Sequence, residues 1–267
     1  MTAMSGTVTR VERLAPRLVR VVLDGDGLAG FTPTEFTDQY VNALFLPPDA
    51  PWTVPFDPDE VKAGPAEHRP RGRRETVRRW DPDRGELWLE LVTHGDVGLA
   101  GRWADHAAPG DRLQVVGPSG GYAPDPDADG HLMVGDESAL PAIAASLERV
   151  PSGVPVAAVV VVDGPADEIE LETPGALALR WVHRDREPGD HEERVVRAVA
   201  AVDLPPGRVQ PFVHGEAAEV RAVRRHLAGR GVDVAGASIS PYWRRGLDDE
   251  GWREIKRDWV LAAAQEA

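Results

Sequence analysis

Leu132-Met133-Val134-Gly135-Asp136-Glu137-Ser138-Ala139-Leu140-Pro141-Ala142, entered from His131, is the stretch that decides the fold. A short apolar run meets a glycine, and small and apolar residues then follow at helical spacing, with Pro141 where an early helical position tolerates it. A strand that turns directly into a helix opens a parallel α/β unit, and nucleotide-binding folds place phosphates at that turn. Two readings of the turn stand side by side. In one, Asp136 and Ser138 contact a cofactor. In the other they cap the helix. The turn has one glycine rather than three, and the carboxylates of Asp136 and Glu137 repel a pyrophosphate, which disfavours tight NADP binding in the usual manner.

Downstream the strand–helix rhythm continues. Strands are predicted at 156–162, 177–183, 209–213 and 233–238, and helices at 138–150, 191–202 and 216–229, the last stopped by Gly229-Arg230-Gly231. A final helix is predicted at 248–264. Upstream, Pro118, Gly120, Gly121, Pro124, Pro126 and Gly130 mark a linker. Before it, 7–13, 18–23, 40–46, 74–80, 87–93 and 112–116 read as short strands that close into an antiparallel barrel. Residues 47–72, rich in Pro, Asp and Arg, read as a mobile insertion rather than an element. The fold class is therefore β plus α/β. A six-stranded antiparallel barrel occupies 1–122, and a parallel-sheet domain resembling NAD(P)H-binding domains, with a C-terminal helix, occupies 123–267.

The chain's 267 residues can bury two cores. With 44 acidic against 30 basic side chains and a net charge of -14, the chain's overall field opposes long-range attraction to nucleic acid or to an anionic membrane, and neither is an expected partner. No run is long enough to span a bilayer and the start lacks a signal pattern, so a cytoplasmic protein is expected. The absence of cysteine removes disulfides, zinc–thiolate sites and cysteine-ligated iron–sulfur clusters. No metal site is expected, and electron chemistry here needs an added flavin or nicotinamide.

Three further motifs carry candidate ligands. Arg73-Arg74-Glu75-Thr76-Val77-Arg78 lies on a predicted strand, where backbone amides can bond a flat heterocycle and an arginine can neutralise a phosphate; it also reads as a strand with a solvated basic face. His94-Gly95-Asp96-Val97-Gly98-Leu99-Ala100-Gly101-Arg102-Trp103 puts small residues at a helix start, where amides can approach a pyrophosphate. Tyr242-Trp243-Arg244-Arg245-Gly246 follows the last predicted strand, at the carboxyl edge where open α/β sheets bind ligands. Trp243 there covers a flavin or clamps a substrate, or else joins Trp252 and Trp259 in pinning the last helix. Arg244, Arg245, Lys256 and Arg257 form a basic patch in an acidic chain.

In this order the motifs resemble the siderophore-interacting protein family, a branch of the ferredoxin-reductase-like flavoproteins, over about residues 7–259. The resemblance implies an FAD-dependent oxidoreductase that reduces a ferric siderophore, or another small-molecule substrate, with electrons from NAD(P)H or ferredoxin. It assigns the FAD site to Arg73, Glu75, Thr76, Val77, His94, Gly98, Leu99, Ala100 and Trp103, joined by Asp136, Ser138 and Trp243. Arg244, Lys256 and Asn42 fall to the substrate. The flavin carries the chemistry, so no side chain is expected to be catalytic. Two departures stand out. Glu75 occupies the tyrosine position of the family's Arg-x-Tyr-Thr strand, setting a carboxylate beside a ring that becomes anionic on reduction. Asn42 replaces a lysine that attracts the anionic substrate in many relatives. A flavin enzyme acting on an organic substrate, and a binding protein that has lost flavin, remain as alternatives.

Overall fold

The computed structural model describes residues 3–95, 98–186 and 189–264. The chain separates into two compact units, Met1–Gly121 and Tyr122–Ala267.

In the first unit β1 (Ala3–Ala15), β2 (Leu18–Asp24), β3 (Tyr40–Phe45), β4 (Arg71–Asp81), β5 (Glu86–Val92) and β6 (Arg112–Ser119) close a barrel in the order β1-β2-β5-β4-β3-β6. All of its pairings are antiparallel. The period of two that marks these strands in the sequence is the period of the core. Val19, Val21 and Leu23 on β2, Val41, Ala43 and Phe45 on β3, and Leu87, Leu89 and Leu91 on β5 all point inward and are buried. A one-residue slip in any of these strands would turn that set to water.

Two short helices, α1 (Pro58–Ala63) and α2 (Ala100–His106), lie in the connections. The first corrects the reading of 47–72 as lacking elements. The Asp57 carboxylate caps α1 by accepting from the Asp59 N–H at 2.8 Å, Pro58 opens the helix, and Val61 is buried beneath it. The buried Gln114 side chain on β6 bonds both the N–H and the C=O of Phe56, at 2.9 and 3.1 Å, and ties the segment to the barrel wall.

In the second unit β7 (Gly130–Asp136), β8 (Pro155–Val162), β9 (Ala176–His183), β10 (Val209–Glu216) and β11 (Ser238–Trp243) form one parallel sheet in the order β11-β10-β7-β8-β9. Helices α3 (Leu140–Leu147), α4 (His191–Ala200), α5 (Ala217–Gly229) and α6 (Asp249–Ala264) complete the unit. Strand β8 is apolar without alternation and buried from Val156 to Val162, as expected of a parallel strand covered on both faces. Val195, Ala198 and Val199 of α4 and Val220, Val223 and Leu227 of α5 pack against Val134, Val159, Val161 and Val213 of the sheet.

The last strand lies further along the chain than expected. Asp233 accepts the N–H groups of Ala235 and Gly236 at 3.0 and 3.2 Å, and this local turn takes 233–236 out of the sheet. Pairing with β10 runs from Phe212–Ser238 to Glu216–Trp243, so Tyr242 and Trp243 end the strand instead of following it.

Candidate functional site

The barrel wall parts at the Arg73–Arg78 motif. Strand β4 pairs with β3 from Arg71 to Thr76 and with β5 only from Val77 to Asp81, its last partner there being Leu89. Glu90, Leu91 and Val92 of β5 therefore have no β4 partner in the ladder. A register irregularity between Val77 and Arg79 accompanies the change of neighbour, and it breaks the expected alternation: Thr76 and Val77, consecutive in the chain, are both buried. The Val77 side chain joins the barrel core and its N–H donates to Gln39 O at 2.9 Å, so its side chain is not a ligand surface. The solvated-face reading holds for Arg74, which is exposed with its guanidinium over Tyr40.

Strand β5 runs from this gap into the turn before α2. Gly95 and Gly98 adopt φ of 68° and 76°, with open space where a Cβ would sit. The first turn of α2 carries no acidic residue and no side chain caps it. At Gly101 a Cβ would lie 3.2 Å from Val92 O, so glycine lets the helix rest on β5. Leu99, Ala100 and Trp103 pack against the barrel core, Trp103 at 5.6 Å from Phe45 between ring centroids. His94 is exposed, and Asp96 and Val97 lie outside the described residues. Open glycine backbone, an uncapped helix start free of acid, and the cations Arg73 and Arg78 fit a phosphate-bearing flavin at this gap. Arg78 lies 3.8 Å from the buried carboxylate of Glu90, which Arg20 also binds. Asn42 is packed over Gly72 of the adjoining strand, where any Cβ would collide with its amide.

The carboxyl edge of the parallel sheet is built differently. Asp136, fully buried, accepts from the N–H and hydroxyl of Ser138 at 2.9 and 2.5 Å, from the Glu216 N–H at 2.9 Å and from Trp243 Nε1 at 2.8 Å. The three residues expected to contact a cofactor here are thus one internal network, and Asp136 orients Trp243. This favours the structural reading of the turn over direct ligation by Asp136, although the helix it leads into begins at Leu140. Glu216 caps α5 through the N–H groups of Ala218 and Glu219, at 2.7 and 3.1 Å, and accepts from Arg245 N at 3.0 Å. Arg245 also bonds Glu219 and lies 5.5 Å from the Trp243 ring centroid. Burial, followed by the negative charges of Asp136 and Glu216, raises Glu219 to about 8. His214 stacks on Phe212, its Nε2 lies 2.9 Å from the Ser238 hydroxyl, and burial lowers it to about 3, so it is a neutral core residue.

Beside this network lies a triad the sequence reading did not single out. Arg184, next after β9, binds both oxygens of Glu137, with Nη2 at 2.8 Å from Oε2, and its Nη1 reaches Asp163, next after β8, at 2.8 Å. Burial opposes the Arg184 charge, but these carboxylates hold it protonated above its usual range. The available signal was positional: a charged residue immediately following each of two predicted strands. Of the expected substrate residues, Arg244 and Lys256 lie at another corner of this unit, Arg244 5.8 Å from the Trp259 ring centroid and Lys256 6.0 Å from that of Trp252, whereas Asn42 belongs to the barrel. Arg221 of α5 lies 5.7 Å from the Trp259 ring centroid as well. Trp252 is buried, donates to Tyr242 O at 2.9 Å and meets Trp259 edge-on, so these two tryptophans pin α6.

Among the described residues no helix is long and apolar enough to cross a membrane. The family model described as siderophore-interacting FAD-binding domain matches residues 7–122, and that described as siderophore-interacting protein matches 128–246. A protein of Mycobacterium tuberculosis is 41% identical over 96% of this chain and 95% of its own. The ferric vibriobactin reductase ViuB of Vibrio cholerae is 33% identical, covering 92% of this chain and 90% of its own. The NADPH-dependent ferric-chelate reductase of Escherichia coli is 32% identical over 89% and 91%. The crystal structure of the siderophore-interacting protein SipS from Aeromonas hydrophila superposes with a TM-score of 0.81 at 28% identity, covering 97% of this chain and 98% of that one.

Proposed function

The chain belongs to the siderophore-interacting protein family and is a flavin-dependent oxidoreductase, and on that premise we propose that it moves electrons from NAD(P)H through FAD to Fe(III) held by a siderophore. Fe(II) binds hard oxygen donors far less tightly, so reduction releases the metal. The names of the Vibrio and Escherichia relatives support this substrate class, and the latter supports a nicotinamide donor.

The observation that carries the reading is the parting of β4 from β5 at the flavin motif, beside a turn whose glycines leave its backbone open. When bound, FAD supplies the conversion of a two-electron donor into single-electron delivery. The chain's own residues position it. Arg73 and the amides of 98–100 hold the pyrophosphate, Thr76 and the β4 backbone meet the ring system, and Glu75 sets a negative charge beside it. Asp136 positions Trp243 as the aromatic of the α/β unit. Arg244 and Lys256, each set near a tryptophan, attract the anionic chelate.

The replacement of lysine by Asn42, whose amide is committed to packing over Gly72, favours a second reading, a flavin reductase of a less anionic organic substrate. Protein purified without added cofactor should be yellow and release FAD. Under anaerobic conditions with NADH or NADPH it should convert a ferric chelate to Fe(II), trapped by a ferrous-specific dye. A yellow protein that turns over no ferric chelate would favour the second reading. A colourless protein that takes up no added FAD would sink both.

A further inference from the structure

The sheet order β11-β10-β7-β8-β9 changes direction at β7, and in such sheets a dinucleotide lies across the carboxyl edge at the change. Its pyrophosphate meets the turn after the first strand and its adenosine ribose meets the ends of the next strands. An acidic residue there bonds the ribose 2′-hydroxyl, whereas an arginine there accommodates a 2′-phosphate. Here both are present and are bonded to each other. Arg184 directs Nη1 to Glu137 and Asp163, and Nη2 to Glu137. The Arg184 side chain is 12% exposed and that of Glu137 8%, so the pair is largely withdrawn from water, while Asp163 keeps 34%.

From this geometry, resting on the nicotinamide-dependent reading above, we infer that the Glu137–Arg184–Asp163 triad selects the donor with a free 2′-hydroxyl and rejects its 2′-phosphorylated form. Two carboxylates against one guanidinium leave the triad with net negative charge, and a phosphate dianion at the ribose would have to break an arginine–carboxylate bond that is sheltered from solvent. A 2′-hydroxyl, by contrast, donates to the accessible Asp163 carboxylate, a neutral-to-anion hydrogen bond that costs no ion pair.

The test uses the purified flavoprotein and two probes that differ only in the group at issue, 5′-AMP and 2′,5′-ADP, bound in calorimetric titrations at fixed ionic strength, alongside kcat/KM for NADH and NADPH. The expected result is a preference of about tenfold or more for 5′-AMP and for NADH, narrowed several-fold by Asp163→Asn, which removes one charge without changing shape. Equal or tighter binding of 2′,5′-ADP overturns the inference, as does a preference that Asp163→Asn leaves unmoved, or binding of neither probe. If the variant does not fold, the wild-type ratio still decides. Ferric-chelate reduction by protein reduced with dithionite separates the two failures. Activity there without nicotinamide binding removes the donor site and leaves the reductase, whereas inactivity there removes the reductase itself.

Discussion

In the barrel, Arg13 meets Asp105 at 2.7 Å with their side chains 48% and 18% exposed; in the α/β unit, Asp136 accepts four hydrogen bonds while 1% exposed. The contrast extends to the candidate sites. In the proposed reading the barrel's site lies where residues 90–92 of β5 keep β2 but lose β4 as a ladder partner, beside a turn of open glycines, so backbone contacts and register would matter most there. Glu90, held by Arg20 and close to Arg78, is the buried charge on that wall. The α/β unit makes its edge from charges bonded to one another, so its contacts depend on a network that must be satisfied before any ligand arrives. Removing a side-chain charge should therefore shift stability more in the second kind of site than in the first.

Asp136→Asn tests this most severely. The amide keeps one acceptor oxygen but sets a donor either against both the Trp243 indole and the Glu216 N–H or, turned over, against the Ser138 N–H, leaving a buried donor unpaired. A loss of about 3 kcal/mol is expected in denaturant unfolding, with a change in tryptophan fluorescence as Trp243 is released. A loss below about 1 kcal/mol would mean the network is not what holds that edge.

The next effect is a pH dependence. Glu219 has a folded value of about 8 against 4.5 ordinarily, so between those pH values the folded state retains a proton that the unfolded state has released. Stability then falls as pH rises through that window and levels off above about 8, by at most about 1.4 kcal/mol per pH unit. Glu219→Gln removes the slope while its carbonyl still accepts from Arg245, and about 2 kcal/mol of stability should be gained at pH 8. Thermal unfolding from pH 5 to 9 measures both curves, and parallel curves would show that Glu219 is ionised throughout.

On the barrel side the sharpest test is Glu75→Tyr, which restores an aromatic face and removes the negative charge beside the flavin. FAD should bind about tenfold tighter, equivalent to 1.4 kcal/mol, in a titration of apoprotein followed by flavin fluorescence. Unchanged affinity would mean that the Glu75 side chain points away from the ring.

These contrasts also explain what could be read from the sequence. The barrel strands followed from strict alternation, as in Val41, Ala43 and Phe45, because the same period of two builds the core. The parallel unit followed from the strand–turn–helix at Gly135. Strand β11 was misplaced because Asp233 closes a turn with Ala235 and Gly236, which apolar pattern alone does not separate from a strand. The short helix at Pro58 was hidden by its polar composition, though Asp57-Pro58 is a helix-start signal. In the candidate sites, chain position marked Asp136, Ser138 and Trp243, but not that they bond to one another. Asp136 and Trp243 are 107 positions apart, and only the closing of β11 beside β10 joins them. Arg184 and Asp163 escaped notice for the same reason, each an ordinary charge at a strand end until the sheet aligns them, and Glu137 reads in the sequence only as a charge that repels a pyrophosphate.

The smallest effect completes the contrast. Asp105 on α2 accepts from Arg13 on β1, and this bond, with a further one from Thr93, holds its carboxyl below the usual value of 3.8. A depressed folded value means that the stabilisation is present above about pH 4 and is lost as pH falls through the folded value. Because Arg13 is half in water, the pair is screened and each long side chain pays entropy to stay in place. Asp105→Asn should therefore cost less than about 1 kcal/mol at neutral pH, and the cost should shrink further in 1 M salt. Denaturant unfolding of this variant beside Asp136→Asn measures the contrast directly. If the exposed pair proves as costly as the buried network, the barrel depends on its side-chain charges after all, and the division between a site built on backbone and a site built on charge does not hold.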